Sequence, residues 1–183
     1  IMSKKTVVSD FLRYGKSLNF LNWIKIFIKN PEYRFLLFFR LSGMFTYYNP
    51  IGLFSRLFLK RLRWKYSIQI PILTKIGKGF HLNHFGGIVI NQGVVIGENC
   101  NVSQGVTIGN VSRGKQKGCP TIGNRVWIGA NSVVVGKISI GNDVLIAPLS
   151  YVNFDVPNEA VVMGNPAQVI NYKSSAVYIK NIS

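Results

Sequence analysis

Residues 81–109 read HLNHFGGIVINQGVVIGENCNVSQGVTIG and hold both histidines of the chain, His81 and His84, with Glu98 the only charged side chain among them. An imidazole is neutral yet basic near pH 7, so a histidine held among amides and glycines can take a proton from a hydroxyl. Two histidines fall short of a three-histidine zinc site, which disfavours a zinc hydratase, and no metal is expected. Cys100 and Cys119 are too few for a disulfide framework and point to a reducing compartment.

The surroundings of these residues repeat. Aliphatic side chains fall at Ile76, Leu82 and Ile88, then at Ile96, Val102 and Ile108, then at Ile122, Ile128, Val134, Ile140, Ile146 and Val152, six residues apart within each group. Six is neither the helical 3.6 nor a plain alternation, but it suits a three-sided β-coil whose short strands each send one aliphatic residue to the axis. Gly and Asn at the corners suit the tight or left-handed backbone of such turns. Two departures mark places where a regular coil is modified: eight residues from Ile88 to Ile96, and fourteen from Ile108 to Ile122. The second expels NVSRGKQKGCPT, with Arg113, Lys115 and Lys117, as a loop over 110–121 that is free to serve a ligand or a neighbouring subunit.

The N-terminal third is different. Residues 1–66 carry 13 basic and 2 acidic side chains, net +11, against 9 and 4 over residues 67–183. The apolar run FLLFFRLSGMFTYYNPIGLFSRLFL is interrupted by Arg40, by Asn49-Pro50 and by Arg56, which leaves no stretch of about twenty apolar residues to span a bilayer. Pro31 and Pro50 read as the starts of separate helices. SRLFLKRLRWKY alternates cations with large apolar groups, as an interfacial helix does. The division expected is a basic helical region over 2–66, a coil domain over 67–170 and a tail over 171–183. The start lacks the apolar core of a secretory signal, so a cytoplasmic protein is expected, with a peripheral position at the inner face of the cell membrane open to it. No nucleic-acid recognition motif is readable.

Residues 75–170 resemble the hexapeptide-repeat acyltransferases, and in particular their serine acetyltransferase branch. The resemblance rests on KIGKGFHLNHFGGIVI, on QGVTIG before the expelled loop and on the closing VVMGNPAQVI; NPEYRFLLFFRL is more loosely similar to that branch's N-terminal helices. It implies a left-handed parallel β-helix with an N-terminal helical segment, and acetyl transfer from acetyl-CoA to a hydroxyl. His84 then matches the family's general base, oriented by Asn83 or a backbone carbonyl, while His81 matches no functional position. Backbone N–H groups of glycine-rich corners would meet the oxyanion. The resemblance also implies a homotrimer with acetyl-CoA in the groove between subunits. Gly109, Ala130 and Ala147 match the small residues lining that groove, and Lys137, Arg113, Lys115 and Lys117 would meet the cofactor's phosphates.

At five positions the chain departs from the branch: Asn83, Gln69 and Gln92 stand where it has carboxylates, Pro71 and Cys119 where it has histidines. Since a zwitterionic acceptor needs charged partners, these losses suggest a sugar or lipid-linked bacterial surface glycan as acceptor, in polysaccharide biosynthesis. The alternatives are O-acetylation of serine for cysteine synthesis, and a non-catalytic membrane-surface protein on the same coil.

Overall fold

The computed structural model describes residues 3–15 and 17–182; Lys16, one of the cations of the N-terminal third, lies outside the described residues. Four helices, α1 (Lys4–Tyr14), α2 (Phe20–Lys29), α3 (Pro31–Met44) and α4 (Pro50–Tyr66), precede fifteen short strands. Ser3 opens α1 with a capping box, and Pro31 and Pro50 stand in the first turns of α3 and α4, where a missing N–H costs nothing.

The chain then winds around three sides. The first carries β1 (Ile68–Gln69), β4 (Ile88–Ile90), β7 (Thr107–Gly109), β10 (Val133–Val135) and β13 (Tyr151–Val152). The second carries β2 (Lys75–Ile76), β5 (Val95–Ile96), β8 (Thr121–Ile122) and β11 (Ser139–Ile140). The third carries β3 (His81–Leu82), β6 (Asn101–Val102), β9 (Trp127–Ile128), β12 (Leu145–Ile146), β14 (Val161–Gly164) and β15 (Ala167–Asn171). All pairings are parallel and in register except β14 with β15, the antiparallel hairpin that ends the coil.

Every aliphatic position of the six-residue period lies against the axis: eleven are buried, and Ile76 is half-buried against the same core. A second inward ladder stands two residues earlier, at Phe80, Val94, Cys100, Val106, Val126, Ile138 and Val144. Sequence analysis did not single it out, although it repeats with the same period. At Ser132 and Ser150 the ladder is polar, and both hydroxyls donate to the Ala147 carbonyl, at 2.9 and 2.6 Å.

The glycines divide into two kinds. After the aliphatic residue, as in Ile96-Gly97, a Cβ would meet backbone of the next turn at about 2.5 Å, so glycine is needed for close stacking of turns. Two residues on in the same corner the backbone is left-handed, at Gly79, Asn99, Arg125, Asp143 and Glu159. Gly and Asn take such positions as the sequence reading expected, also at Gly87, Gly105 and Asn131, and charged residues share them; Arg125 and Asp143 are tied there by paired bonds of 2.7 and 2.6 Å.

The helices close the open first turn of the coil, whose strands have no preceding turn to pair with. Arg40, fully buried, pairs with buried Asp10 at 2.7 Å and donates to the carbonyls of Ile76 and Gly77 at 2.8 and 2.6 Å, while Asp10 accepts from the Phe80 N–H at 2.9 Å. Burial pushes the Asp10 carboxyl upward against the pull of that guanidinium. The Tyr14 hydroxyl donates to the Leu82 carbonyl and accepts from the Leu82 N–H, and Arg63 donates to the Ile70 carbonyl at 2.6 Å. No described helix is long and apolar enough to cross a membrane.

Candidate active site

His84 stands on the corner between β3 and β4, exposed to solvent, and among the described residues it accepts and donates no protein hydrogen bond. The Gly86 carbonyl accepts from the Gly105 N–H as those of Gln104 and Ala130 accept from Asn131 and Leu149, which puts Gly86, Gln104 and Ala130 in one column down this corner with His84 on the widened turn just before it. Ala147 begins the same corner one turn below Ala130, and the two are small and partly or largely buried.

Asn83 is held by other partners. Its Oδ1 faces His81 Nδ1 at 2.9 Å and accepts from Asn101 at 3.3 Å, and its Nδ2 donates to Ser103 Oγ at 2.9 Å. Arg13 anchors the far end of this net on the Asn101 side chain and on the Asn99 carbonyl at 3.2 Å. His81, which the sequence reading left without a role, is half-buried in this net: Tyr14 lies against it at 4.3 Å, and desolvation pushes its pKa down to about 4. The net fixes the backbone immediately before His84, so Asn83 acts on His84 through the chain rather than through a side-chain bond.

That depressed value carries a testable consequence. Below about pH 6.5 the unfolded chain binds a proton at this imidazole and the folded chain does not, so stability falls from pH 6.5 to about 4 and levels off beneath. Urea unfolding across that range is expected to show the wild type losing roughly 2 to 3 kcal/mol more than His81→Asn. Parallel curves for the two proteins count against a neutral His81.

The two departures from the period lie at opposite edges of the first side. Leu82 pairs with Val102 and Ile90 with Ile108, so Ile90, not Ile88, takes the axial position and the two extra residues fall in the β3–β4 corner that carries His84, whereas the expelled loop follows β7 at the other edge. The loop is closed by an antiparallel bridge between Val111 and Gly118 and is tied to the lower turns by the Gln116 carbonyl, which accepts from Lys137 N–H at 2.9 Å. Arg113, Lys115, Lys117 and Lys137 are exposed here, with the Lys137 stem packed beside Gly118. Cys119 at the loop's end donates to Asn91 Oδ1 at 3.4 Å. Cys100 is inert, because burial pushes its thiol up to about 12.

Beside this edge lies a cleft of about 910 Å³ between the end of α4 and the first side. Lys60, Arg63 and Trp64 form one wall; Gln69, Pro71, Asn91, Gln92 and Gly109 lie among the residues of the other. Arg63 Nε is buried without a partner, and desolvation lowers the guanidinium's pKa from its usual value. Gly109 closes β7, and a Cβ there would meet only the side chains of Val135 and Thr107, at 3.5 and 3.9 Å. Within one chain, His84, Ala130 and Ala147 therefore line one edge of the first side, while Gly109, the loop cations and Lys137 line the other.

A parallel three-sided coil with small residues beside an exposed histidine defines a hexapeptide-repeat acyltransferase, and residues 119–153 match the family model "Bacterial transferase hexapeptide (six repeats)". The chain belongs to the serine acetyltransferase family: it is 30% identical over 171 residues, 93% of its length, to serine acetyltransferase of Synechococcus elongatus, of which it spans 69%. The fold is shared with serine acetyltransferase of Neisseria gonorrhoeae solved in complex with serine, with a TM-score of 0.71 and 25% identity, over 91% of this chain and 68% of that one. It is shared as well with the Brucella abortus enzyme in complex with coenzyme A, with a TM-score of 0.73 and 23% identity, over 93% and 67%.

The coil is thus a left-handed parallel β-helix, and the protein is an O-acetyltransferase that uses acetyl-CoA as co-substrate. The expectation of a sugar or glycan acceptor, and with it of polysaccharide biosynthesis, is corrected by these relatives, which are consistently serine acetyltransferases. The inference had rested on missing carboxylates. Gln69, Asn91 and Gln92, three amides, line the cleft together with Arg63 and Lys60, and an amide oxygen accepts hydrogen bonds as a carboxylate oxygen does.

Proposed function

We propose that the protein transfers the acetyl group of acetyl-CoA to the hydroxyl of L-serine, in a homotrimer whose active sites lie between subunits. The observation that carries this reading is the division of the site between two edges: His84 on one, the cleft and loop on the other. Neighbours packed around a three-fold axis bring one chain's His84 corner against the next chain's cleft. In the cleft, the amide oxygens of Gln69, Asn91 and Gln92 accept from the amino-acid ammonium, and Arg63, with its orphaned Nε, meets the carboxylate.

His84 takes the proton of the serine hydroxyl as its oxygen attacks the thioester carbonyl. The tetrahedral oxyanion accepts from backbone N–H groups of Gly86 and Gly87, beside His84, in a corner where a side chain at Gly86 would find open space. Collapse of the intermediate expels the CoA thiolate, which the imidazolium protonates. Ala130, Ala147 and Gly109 leave room for the pantetheine arm, with Lys137, Arg113, Lys115 and Lys117 toward the phosphates. A cytoplasmic location suits the supply of acetyl-CoA.

Thiol release from acetyl-CoA is expected to rise on addition of L-serine but not of D-serine, in a species that light scattering measures as three chains or a multiple of three. Thiol release that L-serine leaves unchanged overturns the acceptor, and an active monomer overturns the shared site.

A further inference from the structure

The outward side of the helical layer is not explained by acetyl transfer. On α4, Gly52, Ser55, Leu59, Leu62 and Tyr66 form the buried face, and Leu53, Phe54, Leu57, Lys60, Arg61 and Trp64 face solvent on the other, Trp64 being 84% exposed. On α2 only Ile26 is buried, while Phe20, Leu21 and Ile28 are exposed, as are Lys25 and Lys29. A run of rings packs the two helices together through α3: Trp23 to Phe27 at 5.3 Å, Phe27 to buried Phe38 at 6.4 Å, Phe38 to Phe58 at 5.0 Å and Phe58 to Phe54 at 4.6 Å. Exposed large apolar side chains grouped on adjoining helices mark an interaction site.

The charges say what the surface meets. The acids of the N-terminal third are Asp10 and Glu32, and both are buried, so every exposed ionic group on α2 and α4 is a cation. A second copy of the same face would set cation against cation. Nucleic acid would satisfy the cations and leave Leu53, Phe54, Leu57 and Phe20 in water.

We infer that the α2–α4 face docks on an anionic lipid bilayer, its apolar side chains entering the interface and Lys25, Lys29, Arg61 and Lys65 meeting lipid phosphates. Lys60 and Trp64 belong to the wall of the cleft, so the docking face adjoins the cleft without covering it. The inference rests on the exposed face and stands whether or not serine is the acceptor.

The test is flotation with phosphatidylcholine vesicles, with and without phosphatidylglycerol, together with quenching of tryptophan fluorescence by brominated lipid. Binding is expected on the anionic vesicles alone, with Trp quenching, and with release at about 0.5 M salt, where exposed charges are screened within a few ångströms. The double variant Arg61→Glu/Lys65→Glu is expected to weaken binding about tenfold or more. The variant Phe54→Ser/Leu57→Ser is expected to weaken it similarly and to abolish quenching, with the far-ultraviolet dichroism of both variants unchanged. The inference is overturned by three results: no flotation with anionic vesicles at low salt; flotation that both variants leave intact; or a self-association, lost in Phe54→Ser/Leu57→Ser, that persists when vesicles do not bind.

Discussion

His84→Ala is expected to lower kcat by about a hundredfold or more, the scale of a positioned general base, while acetyl-CoA still binds and the protein still folds. The structure separates these effects unusually well. The imidazole is exposed on a corner and shares no hydrogen bond with the described residues, so its removal leaves neither a cavity nor an orphaned partner. The net that holds the corner runs through His81, Asn83, Ser103, Asn101 and Arg13, and survives the substitution. Steady-state kinetics and calorimetric titration with CoA check it: a fall in kcat with CoA affinity and melting temperature unchanged is the expected pattern. The rise of rate with pH that reports deprotonation of the base should vanish from the residual activity. Full turnover in the variant moves the base elsewhere.

Asp10→Ala is expected to cost about 3 to 5 kcal/mol, the scale for removing one partner of a buried ion pair. Arg40 is fully buried, and after the substitution its charge retains only the carbonyls of Ile76 and Gly77, while the Phe80 N–H loses its acceptor. For a domain whose whole stability is about 5 to 15 kcal/mol, this threatens folding at 37 °C and lowers the melting temperature by roughly 10 °C or more. The double variant Asp10→Leu/Arg40→Met, apolar and of similar volume, should recover much of the loss, since the penalty is that of an uncompensated charge. Hydrogen exchange locates the effect: the amides of Phe80 to Leu82, at the top of the third side, should lose protection before those of β9 or β12. Uniform loss across the coil would mean that the pair does not close its first turn.

The coil was legible in the sequence because its geometry forces a period: each side presents two residues to the axis, and the later of the two is apolar on every turn. The two departures were legible for the same reason, but the register moves the first of them into the corner that carries His84 and leaves only the second at the edge with the loop. His84 stood out among residues with little else to offer a proton, and the matching motif around it gave it a role. What remained hidden depended on partners far along the chain. Arg40 interrupts an apolar run and argued only against a membrane span, yet it is among the most buried side chains, because Asp10 and the carbonyls of Ile76 and Gly77, thirty and more residues away, converge on it. His81 had no reading until Tyr14 and Asn83 enclosed it. The acceptor was misjudged because each lost carboxylate was weighed alone, without the Arg63 and Lys60 that α4 brings against the first side beside Gln69, Asn91 and Gln92. Sequence periodicity records what each turn repeats; only the packing of helix on coil decides which cations are buried as a cap, which enter the cleft and which remain facing outward.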